Sequence, residues 1–134
     1  MENHTIIRPE HLNHYGYLFG GVMLKWSDEF AWIAASSDYP GCSLVTIAMD
    51  NVEFRKRISN GSILRFKIDR IKQGRTSAQY SIEVFAKEQG SSDEDMVFST
   101  KITFVRIDEN GNKCLLPVYL VHPNEFTGLI LFIP

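Results

Sequence analysis

The chain contains little cysteine, and its cysteines and histidines do not follow a metal-binding spacing. Only Cys42 and Cys114 occur among its 134 residues, and there is no Cys-x-x-Cys pair or zinc-type arrangement. This scarcity argues against a disulfide framework and favours two free thiols in a reducing compartment. We therefore expect no metal site.

Segments that direct a chain into or across a membrane are also lacking. No stretch reaches the roughly 20 apolar residues that a membrane-spanning helix needs. Residues 1–11 have neither the basic start nor the apolar core of a signal peptide. A net charge of -2 argues against nucleic-acid binding. We expect a cytoplasmic protein with no nucleic-acid partner and no membrane insertion.

The sequence has no internal repeat, no low-complexity linker and no Gly-x-Ser-x-Gly nucleophile motif. Its length suits one domain with a real core. We expect a single domain over residues 1–134, with a core at about 6–108 and a C-terminal extension at about 114–134. The extension ends in the apolar segment 128–134, for which we expect a strand or an arm packed on the body or on a partner subunit.

One uninterrupted helix dominates the pattern. Residues 22–37 contain no Pro or Gly and are rich in Ala, Leu, Met and Trp. Apolar residues fall on both sides of the helical wheel, and only Lys25 and Glu29 form a polar strip. This pattern predicts a buried helix. Asp28 lies within it, and because an unpaired buried carboxylate is costly, we expect it to have a partner or a catalytic task.

Strand patterns occur on both sides of this helix. A short strand is expected at residues 5–8, stopped by Pro9. The long β-branched run at residues 44–54 predicts a central strand. Alternation then places these side chains on the inner face of three further strands: Leu64, Phe66, Ile68, Ala78, Tyr80, Ile82, Val84, Met96, Phe98, Thr100, Ile102 and Phe104.

The order of elements predicts an α+β layout, with an antiparallel sheet curled around the long helix. Turns are expected at Asn60-Gly61, at Gln73-Gly74 and at residues 108–111. A single curled sheet leaves free edges and an open side. We therefore expect the chain to pair with a second copy.

Four motifs follow one another in the order loop, helix, strand and turn: Asn13-x-x-Gly16-x-Leu18-Phe19-Gly20-Gly21, Trp26-Ser27-Asp28-Glu29, Val52-x-Phe54 and Gly74-Arg75-Thr76-Ser77. In this combination the chain resembles the acyl-CoA thioesterases of the hotdog fold. The resemblance extends over about residues 6–108.

The resemblance implies a hotdog fold, in which a curled antiparallel sheet wraps a long central helix. It implies a homodimer, which in some relatives assembles further into tetramers or hexamers. The implied reaction is hydrolysis of acyl-CoA to the free acid and CoA, with no cofactor besides the CoA of the substrate. The site would lie between protomers, with Asn13 and Gly20-Gly21 from one chain and Asp28 from the other.

Each implied catalytic role has a plain structural alternative. Asp28 would act as general base, favoured by a pKa raised through burial, or as nucleophile through a mixed anhydride. Gly20 and Gly21 would offer helix N-terminal N–H groups to an oxyanion, or merely allow tight packing. Asn13 would position water or the carbonyl, or stabilise a turn. Thr46 would place a hydroxyl near the water, or simply favour a strand.

Candidate substrate-binding residues lie in the Arg75-Thr76-Ser77 turn and at His14. The cationic run at residues 55–57 is a second candidate for the CoA phosphates, with a solvated surface as its alternative. Arg75 is preferred because its turn matches the family motif. His11 and His14 are interpreted as loop histidines, with His14 also a candidate contact.

Some residues depart from the family pattern, and alternative functions stay open. The family usually has a proline where this chain has Arg57, and an acidic residue where it has Ser62. The alternatives are a non-catalytic acyl-CoA-binding module and a thioesterase acting on acyl-carrier protein. A sensor would carry an output element, and a dehydratase would need a histidine–carboxylate pair; the pattern contains neither.

Overall fold

The computed structural model describes residues 1–119 and 130–132. Its elements are, in chain order, β1 (Glu2–Ile6), a short 3₁₀ helix (Pro9–His11), α1 (Gly20–Asp38), β2 (Ser43–Phe54), β3 (Ile63–Gln73), β4 (Ser77–Lys87), β5 (Asp95–Ile107), β6 (Pro117–Tyr119) and β7 (Ile130–Phe132).

The first five strands form one antiparallel sheet in the order β1-β3-β4-β5-β2. α1 packs across one face of this sheet and contacts β2, β3, β4 and β5. The α+β layout and the four strands after the helix are confirmed. The positive φ of Gly61 and Gly111 agrees with the expected turns at these two glycines.

The helix approaches the sheet through small side chains. Ser27, Ala31 and Ala35 are fully buried, and Ala34 is nearly so. Small residues on the buried side of a helix allow its backbone to come close to the strands that curl around it. Aromatic side chains fill the remaining space between helix and sheet. Phe30 on α1 packs edge-on against Phe66 on β3, with 4.9 Å between ring centroids.

The predicted inner face of β3, β4 and β5 is confirmed with one exception. All of its side chains are buried except Met96, which is half-buried while Val97 is buried instead. The register between β4 and β5 shifts at this point, so that Val84 pairs with Phe98 and Phe85 with Met96. Val97 is the extra residue of this bulge, and its side chain points into the core.

The first strand lies earlier than predicted. It covers Glu2–Ile6 rather than residues 5–8, and pairs antiparallel with β3. The strand lacks the alternation of apolar and polar residues that predicts a strand, because an edge strand tolerates polar and charged side chains. One such group is Glu2, whose carboxylate lies 2.7 Å from the guanidinium of Arg65 on β3.

The prediction that residues 44–54 form a central strand is wrong for the single chain. Among the residues that the structure describes, β2 is an edge strand that pairs with β5 alone. Its apolar side chains Val45, Ile47, Val52 and Phe54 are exposed, the last by 55%. An apolar run indicates burial, but it does not indicate whether the covering surface comes from the same chain.

The expected burial of the helix on both sides is also incomplete. Trp32 and Ile33 are 46% and 45% exposed. The indole Nε1 of Trp32 donates a 3.1 Å hydrogen bond to the Leu44 carbonyl on β2. The uncovered side of α1 and the free edge of β2 therefore form one continuous exposed surface.

A buried polar cluster attaches the C-terminal end of α1 to the sheet. The Tyr80 hydroxyl donates to Asp38 Oδ2 at 2.6 Å, and the Tyr39 hydroxyl donates to Gln73 Oε1 at 2.7 Å. Arg70 donates in turn to the Tyr39 oxygen at 3.0 Å. Burial raises the pKa of both tyrosines, and for Tyr80 the neighbouring Asp38 raises it further. Both hydroxyls therefore remain donors near neutral pH.

The C-terminal part forms a separate two-stranded ribbon, in which β6 pairs antiparallel with β7. The Leu116 N–H donates to the Arg75 carbonyl at 2.8 Å, which ties the segment before β6 to the β3–β4 turn. The strand expected within residues 128–134 is present at Ile130–Phe132, and the rest of that segment lies outside the described residues. No helix in the described part of the chain is long and apolar enough to cross a membrane.

We predict that Ala31→Leu lowers the free energy of unfolding by about 1–3 kcal/mol, because the added atoms have no space between α1 and the sheet. Denaturant unfolding at one fixed protein concentration measures this change. The control is Lys25→Leu on the exposed side of the same helix, for which we expect a change within about 0.5 kcal/mol. Equal free energies of unfolding for Ala31→Leu and the parent protein would show that α1 and the sheet are not closely packed at this position.

Candidate active site

A cavity of about 690 Å³ lies where the loop before α1, the start of α1 and the end of β2 meet. Its apolar part suits an alkyl chain, and its polar part consists of an amide, helix-terminal backbone and cations. Its lining residues are Asn13, Tyr15, Tyr17, Leu18, Gly20, Met23, Phe54, Arg55, Lys56, Arg57, Ile58 and Val97.

The loop orients Asn13 at this cavity. Its Oδ1 accepts hydrogen bonds from the backbone N–H groups of Tyr15 (2.9 Å) and Tyr17 (3.2 Å). Two donors at one oxygen identify the amide orientation, so the other end of the side chain is the NH₂ group. That group has no hydrogen-bond partner within the described residues. Asn13 thus builds the turn with its oxygen and keeps its amide donors for a ligand.

The first residues of α1 provide a second set of donors. Phe19 is the N-cap and makes no side-chain capping bond. The N–H groups of Gly20 and Gly21 make no hydrogen bond within residues 1–119, as expected for the start of a helix. A Cβ on Gly20 would lie 3.4 Å from the Phe54 ring, so glycine keeps the gap beside these donors open. The positive end of the helix dipole favours an anion here.

Asp28 and Thr46 form a direct pair elsewhere on the surface. The Thr46 hydroxyl donates to Asp28 Oδ1 at 2.6 Å. Asp28 is half-buried rather than buried, because Trp32 and the edge of β2 leave its side of the helix open. The desolvation expected from the sequence is therefore incomplete in one chain. A shallow depression of about 340 Å³ adjoins Asp28 and is lined also by Glu29, Trp32 and Ile33.

A single chain does not bring the predicted catalytic residues together. Gly20 and Asp28 are eight positions apart on α1, which corresponds to about 12 Å along the axis at 1.5 Å per residue. Asn13 and Gly20 line the large cavity, whereas Asp28 lines the separate depression. The chain therefore carries the predicted set as two separated halves.

Three consecutive cations lie at the rim of the large cavity. Arg55 is paired with Glu53 at 2.8 Å and Lys56 with Asp95 at 3.2 Å. The guanidinium carbon of Arg57 lies 4.8 Å from the centroid of the Tyr17 ring. Sequence reasoning named this run only as a second candidate, and it missed Tyr17 altogether. The signal available in the sequence was three consecutive cations directly after a predicted strand.

The preferred substrate-binding turn lies at the opposite end of the sheet. Arg75 and Thr76 lie in the connection between β3 and β4, and Ser77 begins β4, whereas the cavity adjoins the end of β2 and the start of β5. The 11 residues of β4 span about 33 Å at ~3.3 Å per residue. Within this turn, the Thr76 carbonyl accepts from the Arg106 N–H at 2.9 Å. The turn is therefore well anchored and distant from Asn13 of the same chain.

The histidines occupy loop positions. The Arg8 N–H donates to His11 Nδ1 at 3.0 Å, and the His11 ring meets Trp26 edge-on at 4.8 Å. His14 is exposed and stacks against Tyr15 with ring centroids 4.0 Å apart. His11 therefore makes a structural contact, and His14 lies beside Tyr15 of the cavity wall.

Neither cysteine lines the cavity or the depression. Both are half-buried free thiols, and burial raises the pKa of the Cys42 thiol. A raised pKa reduces the thiolate fraction and makes Cys42 a poor nucleophile near neutral pH. Across residues 1–119 and 130–132, no group of three or more His, Cys, Asp or Glu side chains is arranged to hold a metal ion.

Comparison with known proteins places this arrangement in a family. Residues 15–92, more than half of the chain, match the model of the Thioesterase superfamily. Mouse acyl-coenzyme A thioesterase 11 is 32% identical over 100 residues, which cover 75% of this chain and 17% of the mouse protein. The chain therefore spans only a minor part of that relative's length.

Two solved structures share the fold along most of the chain. The hexameric thioesterase from Yersinia pestis gives a TM-score of 0.79 at 27% identity, covering 87% of this chain and 93% of that chain. The acyl-CoA hydrolase from Staphylococcus aureus, solved with butyryl coenzyme A, coenzyme A and coenzyme A disulfide, gives 0.78 at 26% identity, covering 87% and 70%. Mutants of the staphylococcal enzyme replace one aspartate or one asparagine by alanine, at positions 15 residues apart. By its family-model match and its hotdog architecture, the chain belongs to the thioesterase superfamily.

Proposed function

We propose that this protein hydrolyses acyl-CoA thioesters at a site completed by two copies of the chain. The observation that carries the proposal is that the predicted catalytic groups lie in two separate places on one chain. Asn13 and Gly20 line a largely apolar cavity with free N–H donors, and the Gly21 N–H follows in the same first turn of α1. The carboxylate pair Asp28–Thr46 lies on the uncovered side of the same helix. Neither half alone provides both an oxyanion site and a base.

Pairing of two β2 edges would join the halves. In an antiparallel pair the Ser43 end of one strand lies beside the Phe54 end of the other. A two-fold axis would repeat this contact and give two equal sites. The partner's Asp28–Thr46 pair would then approach the large cavity, and the partner's turn at residues 75–77 would come to the same end of the sheet. This pairing would also cover the exposed apolar side chains of β2.

The spacing of the polar residues supports this assignment. Asn13 and Asp28 are separated by 15 positions, as are the asparagine and aspartate replaced in the staphylococcal mutants. The Yersinia relative is described as hexameric. Assembly of this chain beyond the dimer, as a trimer of dimers, is part of the same proposal.

The chemistry follows from the atoms available. The thioester carbonyl would accept hydrogen bonds from the Asn13 amide or the Gly20 and Gly21 N–H groups. Asp28 of the partner copy would take a proton from a water molecule, which attacks the carbonyl carbon. The resulting oxyanion is stabilised by the same donors until the C–S bond breaks. The leaving CoA thiolate takes up the proton held by Asp28, which restores the carboxylate. Thr46 would hold Oδ1 of the carboxylate and leave Oδ2 to face the water.

The acyl chain would occupy the apolar part of the cavity. Leu18, Met23, Ile58 and Val97 line it, and Phe54 packs against Phe98 with ring centroids 4.9 Å apart. This wall is aliphatic and aromatic with no charged group inside it. It suits an unsubstituted acyl group.

We predict that Asp28→Asn lowers kcat for acyl-CoA by about 10²–10⁴-fold, because the amide cannot accept the proton of water. Release of CoA thiol across a panel of acyl-CoAs, from acetyl to palmitoyl, measures the loss. Thr46→Val should lower kcat less, by about tenfold, since the carboxylate is kept and only its orientation is lost. Unchanged turnover in Asp28→Asn would exclude this mechanism. CoA binding without turnover in the parent protein would favour a binding module.

We predict that the two functions of Asn13 separate in a matched pair of variants. Asn13→Asp keeps the oxygen that accepts from Tyr15 and Tyr17 but removes the amide donors, so it should fold normally and lose activity. Asn13→Ala should lose activity and also about 1–2 kcal/mol of unfolding free energy. Denaturant titration and the thiol-release assay report on the two effects. Full activity in Asn13→Asp would show that the amide donors are not needed.

We predict that inactive Asn13→Ala and Asp28→Asn chains restore activity when they share a dimer. One of the two sites in such a heterodimer would contain both intact residues. Random pairing of equal amounts should therefore give about a quarter of the parent activity in the mixture, and about half in purified mixed dimers. Co-expression with two different affinity tags, followed by tandem purification, isolates the mixed dimers. Mixed dimers without activity would place Asn13 and Asp28 in the same chain's site.

A further inference from the structure

We propose that Arg57 is the residue that binds a phosphate of the thioester's carrier, and so selects CoA thioesters over neutral ones. This inference rests on the proposed hydrolysis and names the residue that recognises the charged end of the substrate.

The charges at the cavity rim single out Arg57. Arg55 and Lys56 each have a carboxylate partner, Glu53 at 2.8 Å and Asp95 at 3.2 Å. Within the described residues Arg57 has no carboxylate partner. Three cations and two carboxylates leave one positive charge unmatched, and it belongs to Arg57. An unmatched cation beside a cavity attracts an anion more strongly than one already paired.

The Tyr17 ring holds Arg57 in place. The guanidinium carbon lies 4.8 Å from the ring centroid, within the range of a cation–π contact. The ring face provides no acceptor oxygen, and none of the Arg57 N–H groups is hydrogen-bonded inside the described part of the chain. A planar guanidinium held by its face keeps its donors available for two oxygens of one phosphate.

The position of Arg57 also fits the shape of the substrate. Arg57 lines the same cavity as Asn13 and Gly20, but it is exposed, at the solvent side. The pantetheine arm of CoA separates the thioester from the phosphates. A phosphate-binding group is therefore expected at the mouth of the cavity and away from the carbonyl donors.

Steady-state kinetics with two substrates test the assignment. One substrate is an acyl-CoA and the other is the S-acyl-pantetheine with the same acyl group and no phosphate. Arg57→Met should raise KM for acyl-CoA about tenfold, or about 1.4 kcal/mol, with kcat unchanged. It should leave both constants for S-acyl-pantetheine unchanged. Arg57→Lys, which keeps the charge, should raise KM less.

Salt dependence and control variants complete the test. Added salt should raise KM for acyl-CoA in the parent protein, and this dependence should weaken in Arg57→Met. Lys101→Met, on an exposed β5 residue outside the cavity, controls for the loss of one positive charge. An equal rise in KM in Lys56→Met would overturn the assignment to Arg57. So would an equal rise for both substrates in Arg57→Met, since that result indicates a change in cavity shape.

Calorimetric titration with free CoA separates this inference from the proposed function. If the parent protein hydrolyses neither substrate, the proposed function fails. CoA binding that is about tenfold weaker in Arg57→Met than in the parent would still support the phosphate contact. Equal CoA affinity in the two proteins would overturn it.

Discussion

The contact between the small-residue side of α1 and the concave face of the sheet determines the rest of the structure. Because Ser27, Ala31 and Ala35 allow close packing, the helix has one axial position and one rotation. Its first turn is held at the large cavity, and Asp28, about two turns later, is held against Thr46 on β2. The buried cluster around Tyr39 and Tyr80 fixes the other end. The functional groups on this helix are therefore placed by packing rather than by loops.

The parts of the fold that depend on local pattern could be predicted from the sequence. An uninterrupted run of helix formers predicted the helix. Strict alternation of apolar and polar residues predicted β3 and β4, because one face of each strand is buried within the same chain. The predictions that were wrong concern surfaces whose environment is not local. Residues 44–54 are apolar yet form an edge, and Glu2–Ile6 is polar yet forms a strand. In both cases the pairing partner, and not the strand's own composition, determines its place.

The candidate site was predictable to a different degree at each residue. The start of the helix at Gly20 agrees with the prediction. The sequence predicted a partner or a task for Asp28 but did not identify Thr46 as its hydrogen-bond donor. The expected burial of Asp28 could not be judged, since it depends on what covers the open side of α1. The sequence also contained no indication of the distance in space between residues 75–77 and Asn13. The stacking of Arg57 on Tyr17 joins two segments 40 positions apart, and a motif search examines neighbours in sequence rather than in space.

The free edge of β2 has a consequence for the newly made chain. On the side away from β5, this 12-residue strand has no strand partner in the described part of the chain, and several of its apolar side chains are exposed. That combination promotes edge-to-edge misassembly. Charged residues interrupt this edge at Asp50 and Glu53, and at Asn51 the backbone takes a positive φ. These features disfavour open-ended stacking of β2 edges from many chains, because the charges and the irregular backbone are compatible with few registers of strand pairing. A closed two-fold pair would use up both edges at once, so quaternary assembly would also act as the chain's protection against aggregation.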